Sequence, residues 1–204
     1  MHAVFLRVDA GETITDQERR NVVILAERPA VTITWTRYAG GERGPGLHVH
    51  REHVDAFYVL DGELTFTVGP AGEERVSVAA GGFLAVPPNV VHTFVNEGPA
   101  EARWLNLHAP DTGFADYLRA ARDGTGGAWD SFDPPADGGR PAAEVIVTRP
   151  GEGERRATGG RDLVVKGVLP QLTVVESTGD GSLDAGLYYD LGSGRVLGAH
   201  APGL

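Results

Sequence analysis

Three histidines and two acidic residues, Glu52 and Asp55, fall within one short stretch of this sequence, HVHREHVD, which runs from His48 to Asp55. Alternate side chains of an extended strand share a face, so His48 and His50 project together while Val49 points the opposite way. Two imidazoles on one face can bind a single metal ion, and a carboxylate that follows a short turn can swing back towards them. The spacing therefore predicts a metal site that uses His48, His50 and Asp55.

Another histidine, His92, lies much further along the chain in the stretch PPNVVHTFVN. Pro87 and Pro88 predict a rigid turn there, and His92 then opens an extended run. A long separation from the first cluster is what opposing strands of a β-barrel require. We therefore expect His92 to reach the same ion from a distant strand.

The composition limits the other functions that the chain can have. With 28 acidic and 18 basic residues among 204, the net charge of -10 repels phosphate backbones, so nucleic acid and anionic membranes are poor partners. The sequence has no cysteine, which leaves imidazole and carboxylate as the strong metal ligands. No signal-like leader or long apolar run is present, and this favours a cytoplasmic protein.

The first half of the chain predicts short β-strands separated by turns of Gly, Pro and Asp. The Asp61-Gly62 pair is typical of a tight hairpin, and Gly69 to Gly72 predict a second reversal. Antiparallel strands at this spacing are typical of a β-sandwich or barrel. The predicted strands are NVVILA, AVTITWTRY, AFYVL, ELTFTV, RVSVA, FLAVP, HTFVN and ARWLNLHA.

After Pro110 the apolar residues recur at three and four positions, which predicts one short helix that ends before Gly124. Residues 124–143 are crowded with Gly, Pro and Asp and predict a linker, one able to wrap over a surface through Trp129 and Phe132. The sequence thus divides into a barrel over residues 1–123, the linker, and a C-terminal segment over residues 144–204.

The C-terminal segment is interpreted as a partial, degenerate copy of the barrel. RNVVILAERPAVTIT from Arg20 aligns without gaps with RDLVVKGVLPQLTVV from Arg161. The alternative is a chance similarity between two β-rich stretches. A fragment of this size buries little core by itself, so we expect its strands to pack on the barrel or on a partner subunit of a homodimer.

Two stretches carry a family resemblance. HVHREHVDAFYVLDG resembles the first motif of the cupin superfamily, in which two histidines, a glutamate and a glycine have the same spacing, and GGFLAVPPNVVHTFVN resembles the second. The resemblance implies an all-β fold, the cupin jelly-roll barrel or double-stranded β-helix. It also implies one divalent transition metal ion, Fe, Mn, Ni, Cu or Zn, with the ligands His48, His50, Asp55 and His92.

The sequence departs from the family pattern at two positions. Asp55 replaces the glutamate and is shorter by one methylene, so either the loop moves inward or three histidines bind the ion without it; Glu52 and His53 are alternative ligands. Asn89 replaces a glycine, and asparagine tolerates a positive φ, so we expect the turn to persist. The remaining histidines, His2, His108 and His200, are interpreted as structural.

The resemblance implies an enzyme that acts on a small oxygen-bearing metabolite, with a dioxygenase-type oxidoreductase as the first hypothesis. A cupin isomerase and a non-catalytic module that binds a metal and a small molecule are the alternatives. No catalytic acid or base is identified by its spacing. Strand parity suggests Trp35, Phe57 and Phe94 as the residues that line a substrate pocket.

Overall fold

The computed structural model describes residues 3–202. Within that range the chain forms sixteen strands, one α-helix and two short 3-10 turns at Val8–Ala10 and Ala142–Glu144. The strands are β1 (Ala3–Leu6), β2 (Glu12–Asp16), β3 (Arg20–Arg28), β4 (Val31–Tyr38), β5 (Val54–Asp61), β6 (Glu63–Val68), β7 (Glu74–Ala79), β8 (Phe83–Val86), β9 (His92–Val95), β10 (Ala102–Ala109), β11 (Ile146–Thr148), β12 (Glu154–Thr158), β13 (Arg161–Val168), β14 (Thr173–Gly179), β15 (Gly186–Gly192) and β16 (Arg195–His200); the helix is α1 (Phe114–Arg122). The eight strands and the helix predicted for the first half are confirmed.

Two antiparallel sheets face each other in the N-terminal half. One has the strand order β11-β8-β5-β10-β4-β3-β2, and the other has the order β7-β6-β9. Their inward side chains form one buried cluster that includes Phe57, Phe66, Phe94 and Trp104. This arrangement confirms the all-β jelly-roll fold of double-stranded β-helix type, here with facing sheets rather than a fully closed barrel.

The C-terminal strands form a six-stranded sheet with the order β1-β15-β16-β14-β13-β12. Strand β1 comes from the start of the chain and pairs in parallel with β15. Strand β11 follows the linker in sequence but pairs with β8 in the seven-stranded sheet. Leu172, Leu187 and Leu197 of the second half are buried in one cluster with Ile33 and Leu107 of the first. The C-terminal sheet therefore shares a core with the outer face of the seven-stranded sheet. That the C-terminal segment is a degenerate copy of the barrel remains a prediction.

A buried charged group also joins these two sheets. The Tyr58 hydroxyl donates to Glu176 Oε1 over 2.9 Å, and Lys166 Nζ lies 3.2 Å from the same oxygen. Arg195 binds the other carboxylate oxygen at 2.9 Å. Burial, and after it the nearby Glu176 carboxylate, raises the pKa of Tyr58 above its usual range. Glu176 thus accepts hydrogen bonds from Tyr58 and Arg195 and forms an ion pair with Lys166 at the junction of the sheets.

None of the helices in residues 3–202 has the length and apolar character that crossing a bilayer requires.

Candidate metal centre

The four ligands named from the sequence lie together in the structure. One ligand atom from each of His48, His50, Asp55 and His92 lies within 4.8 Å of all the others. His92 Nε2 is 3.3 Å from Asp55 Oδ2, and His50 Nε2 is 3.6 Å from the same oxygen. All four side chains are buried. A shorter carboxylate at position 55 therefore still reaches the histidines.

The backbone around His48 explains how these side chains meet. His48 and His92 exchange a pair of backbone hydrogen bonds of 3.1 and 2.9 Å, and Val49 exchanges another pair with Phe132. The segment 48–50 is consequently held extended between β9 and the linker. Extended geometry turns the two histidines to the same side, as predicted from the alternation.

In His48, His50 and His92, the Nδ1–H group donates a hydrogen bond to a backbone carbonyl. His48 donates to Gly46 over 2.8 Å, His92 donates to Val90 over 3.0 Å, and His50 donates to the carbonyl of Asp130. Each Nε2 atom then carries a lone pair, and a histidine in this tautomer can bind a metal through that atom. His50 Nε2 is buried and has no hydrogen-bond partner among the described residues.

This donor set fits a divalent first-row transition metal. With its proton on Nδ1, His92 directs an Nε2 lone pair at an Asp55 oxygen only 3.3 Å away. Two acceptors at that distance repel each other unless a metal ion, or a proton on Nε2, lies between them. Three neutral imidazoles and one carboxylate are ligands that suit Fe, Mn, Ni, Cu and Zn, so an ion would satisfy the unpartnered His50 nitrogen as well.

Asp55 is held as a carboxylate. Burial alone would raise the pKa of Asp55, but His108 and then His50 and His92 outweigh it and keep that pKa well below its usual range. Asn106 Nδ2 donates to Asp55 Oδ1 over 2.5 Å and orients it. The alternative ligand Glu52 is exposed and does not join the group.

A second buried cluster adjoins the first and contains residues that the sequence interpretation missed. His53 Nδ1 lies 2.7 Å from Asp130 Oδ2, and His53 Nε2 lies 3.1 Å from His108 Nδ1. His108 was interpreted as structural, yet β10 pairs it directly with Asp55. Asp130 lies in the linker, where no periodic pattern marks it. His2 lies outside the described residues.

Three of the four candidate metal ligands border a cavity of about 710 Å³. His48, His50 and Asp55 line it, and an aromatic wall completes it; that wall consists of Phe94, Trp104, Phe114, Tyr117 and Trp129. Of the three pocket residues expected from parity, Phe94 lines this cavity. Its volume is ordinary for a small-molecule site.

Trp35 and Phe57 require a correction, because neither lines the cavity. Trp35 packs with Ile33 against the C-terminal sheet, so the opposite face of β4, with Thr34 and Thr36, borders the cavity instead. Phe57 does point inward, but it lies behind Phe94 with the two ring centroids 5.1 Å apart.

Residues 129–132 of the linker, which we call the strap, cover the site. Trp129 packs on His50 with ring centroids 4.8 Å apart, and its indole N–H donates to Thr112 Oγ1 over 3.0 Å. The backbone of Phe132 is hydrogen-bonded to that of Val49, and its ring lies against the guanidinium of Arg51. The linker therefore completes the wall of the cavity from outside the barrel.

We expect the metal-free protein to lose stability as the pH falls below about 6.5. Burial lowers the pKa of His48 to about 3 and that of His53 to about 4. The unfolded chain therefore binds more protons in this window, and the free energy of unfolding falls by about 1.4 kcal/mol per pH unit for each histidine. Urea midpoints across the window measure this slope. A His48→Gln variant should show a smaller slope, and a midpoint independent of pH would contradict the expectation.

Comparison with known proteins gives the class of this fold and site. Residues 34–108 match the sequence model of the family described as "Cupin domain". Those residues carry both histidine motifs, and this part of the chain is a cupin domain. None of the curated proteins matches the sequence.

Solved structures show the same fold. The protein Ylba from E. coli is similar with a TM-score of 0.54 and 14% identity, over 84% of this chain and 61% of that one. KdgF from Halomonas sp. is similar over 52% of this chain and 94% of its own, with 20% identity and a TM-score of 0.45. An RmlC-like cupin from Shewanella frigidimarina has 22% identity and a TM-score of 0.45, over 52% of this chain and 90% of its own.

Proposed function

We propose that this chain is a metal-dependent enzyme that acts on a small oxygen-bearing metabolite, with dioxygenase-type oxidation as its reaction. The convergence of three histidines and one carboxylate at the edge of a small-molecule cavity supports the proposal. His48, His50, Asp55 and His92 would hold one divalent ion, Fe, Mn, Ni, Cu or Zn. When bound, the ion supplies a Lewis-acidic or redox-active centre with coordination positions open to a ligand.

The protein's own side chains select and orient that ligand. The aromatic wall offers flat apolar surfaces, and Trp129 with the strap limits the access of water from the linker side. Arg20 and Arg122 also line the cavity, but Arg20 is paired with Glu42 at 2.9 Å and Arg122 with Glu12 at 2.9 Å. Because each guanidinium is already paired with a carboxylate, we expect the cavity to prefer an uncharged ligand.

Dioxygenase chemistry suits this setting because both atoms of dioxygen enter the substrate, and the substrate itself supplies the electrons. No separate reductant is then needed. The aromatic wall offers apolar surface beside the ion, while Asn106 and the backbone carbonyls would hold the ligand side chains in place.

Oxygen uptake tests this proposal. The protein is loaded separately with Fe(II) or Zn and given uncharged 1,2- and 1,3-dicarbonyl compounds and catechols. We expect uptake with iron and none with zinc, and none in an iron-treated His92→Ala variant. Tight binding without turnover would favour the binding module instead, and conversion of a hydroxycarbonyl compound into its isomer by the zinc form would favour the isomerase.

We also propose that the protein is a cytoplasmic homodimer. Val4 and Phe5 are exposed apolar residues on the edge strand β1, where a second subunit could cover them. Sedimentation equilibrium should give twice the mass of one chain, and Phe5→Lys should reduce it to one. A wild-type protein with the mass of a single chain would contradict this.

A further inference from the structure

The cavity beside the candidate metal ligands continues beneath the helix α1. Phe114, the first residue of the helix, packs on His108 with ring centroids 3.9 Å apart, and β10 pairs His108 with Asp55. Arg122, the last residue, forms an ion pair with Glu12 of the edge strand β2 over 2.9 Å. The helix therefore runs from the metal end of the cavity towards the far edge of the seven-stranded sheet, and residues from both of its ends line the cavity.

The helix turns its apolar face to this cavity. Apolar residues recur at three and four positions along it and line the cavity; they are Phe114, Tyr117, Leu118 and Ala121, which we call the α1 stripe. Of the residues Phe114–Arg122, all of which the structure describes, Ala115 alone is buried. A globular protein normally buries such a stripe in its core. Here the stripe borders open space, which makes it surface that a ligand can cover.

The wall opposite the α1 stripe is apolar in the same part of the cavity. Ile14 of β2 and Val22 of β3 line it, and Leu118 packs against the buried cluster that contains both. Two exposed residues, Asp16 and Gln17, also line the cavity, so it opens to solvent at the end of β2. The far end of the cavity is thus an apolar channel with a polar mouth.

Between the two ends, polar side chains of the lining are already paired with other groups. Thr34 Oγ1 and Thr36 Oγ1 lie 3.5 Å apart on the inner face of β4. Asn106 Nδ2 donates to the Asp55 carboxylate and to the carbonyl of Ala56. Because these groups have partners, an apolar chain can pass them without leaving a donor or an acceptor unpaired.

The cavity is also elongated. From Phe114 to Ala121 the α1 stripe extends over about 10 Å of helix. On the sheet, β2 lies four strand intervals from β5, which carries Asp55, and these intervals sum to about 19 Å. A molecule that reaches from the metal end of the cavity to the end of the α1 stripe must therefore be extended.

We infer that the α1 stripe binds the hydrocarbon tail of an amphiphilic ligand. The ligand class is an uncharged molecule with an oxygen-bearing head and an extended alkyl or alkenyl tail. The position of the head at the candidate metal ligands rests on the proposed function, whereas the tail site requires no ion. Each methylene that covers the stripe should tighten binding about fourfold, because it removes apolar surface from water.

A series of straight-chain alcohols tests the tail site in the metal-free protein. 1-Butanol, 1-hexanol and 1-octanol are titrated into the full chain and followed by ¹H–¹⁵N amide spectra. We expect saturable binding that tightens about fourfold per added methylene, with shifts at the amides of Leu118 and Ala121. An affinity independent of chain length, or shifts that leave these amides unchanged, overturns the inference.

Filling the outer end of the channel provides a second test. Ala121→Trp should weaken 1-octanol binding about tenfold or more and change 1-butanol binding by no more than about twofold, since the indole takes the space of the last methylenes. The control Asp116→Trp adds the same ring on the solvent side of the helix, where the side chain is 79% exposed, and should bind 1-octanol like the parent. An equal loss in both variants overturns the inference.

A second copy of the chain is the other candidate for covering the α1 stripe. The amide shifts of α1 in the ligand-free protein should be independent of protein concentration. Shifts of Leu118 and Ala121 that change on dilution would assign the stripe to a protein contact and overturn the tail site. This measurement needs no variant, so the inference can be tested even if Ala121→Trp does not fold.

The tail site and the proposed function fail in different ways. The zinc-loaded protein is titrated with acetohydroxamic acid and octanohydroxamic acid, which share a chelating head and differ in their tails. A protein that binds no zinc but prefers the longer alcohols contradicts the proposed function and supports the tail site. A protein that binds zinc and both hydroxamic acids equally well contradicts only the tail site.

Discussion

Replacing His50 by alanine is expected to weaken the binding of zinc or manganese by more than about 100-fold. Loss of a residue that merely orients a metal ligand already costs about 10- to 100-fold, and His50 would be a ligand itself. Its buried Nε2 has no hydrogen-bond partner in the part of the chain that the structure describes and lies 3.6 Å from the Asp55 carboxylate. Competition with a chelator of known affinity measures the change.

The control for this variant is His200→Ala. His200 lies at the end of β16, where its Nδ1 donates to the carbonyl of Ala185, far along the chain from the metal ligands. Its removal deletes one imidazole from the protein and should leave metal affinity unchanged. If His50→Ala bound the ion as tightly as the parent, the ligand set proposed here would be wrong.

The strand positions of the candidate ligands could be predicted because local rules place them. Alternation along an extended segment puts His48 and His50 on one side, and the two proline residues before His92 mark the start of a strand. Asn89 was expected to keep a turn that usually needs glycine, and its φ of 67° confirms this. Each of these predictions needs only neighbours in sequence.

The residues that were missed depend on contacts between distant parts of the chain. His108 faces Asp55 only because of the register between β10 and β5, and sequence spacing does not reveal that register. Asp130 reaches His53 from an irregular segment that has no periodicity. The position of β1 beside β15 is equally hidden, since four residues carry too little pattern to choose a partner.

The face of β4 was chosen incorrectly for a different reason. Both of its faces are buried, one against the cavity and one against the C-terminal sheet. Apolar alternation then cannot tell which face meets which partner, because threonine and valine both fit a buried strand. Trp35 was assigned to the cavity on apolarity, whereas the threonine face borders it.

Replacing Glu176 by leucine is expected to destabilise the protein by about 3–5 kcal/mol, because it leaves a buried charge without its partner. Lys166 has a fully buried side chain, and its Nζ would retain only the carbonyls of Arg149 and Glu152 at 3.3 and 3.1 Å. The Tyr58 hydroxyl would also lose its acceptor. Urea unfolding at neutral pH measures the loss.

A matched control is Glu154→Leu, which removes an exposed carboxylate paired with Arg156 and should change stability by no more than about 0.5 kcal/mol. The double variant Lys166→Met with Glu176→Leu separates the cost of an unpaired ammonium from the cost of altered packing. Removing both buried charges should recover most of the lost stability, since the desolvation cost of Lys166 then disappears, while the partly exposed Arg195 can turn to solvent. If the double variant were less stable than Glu176→Leu alone, packing at this junction rather than the unpaired ammonium would be the cause.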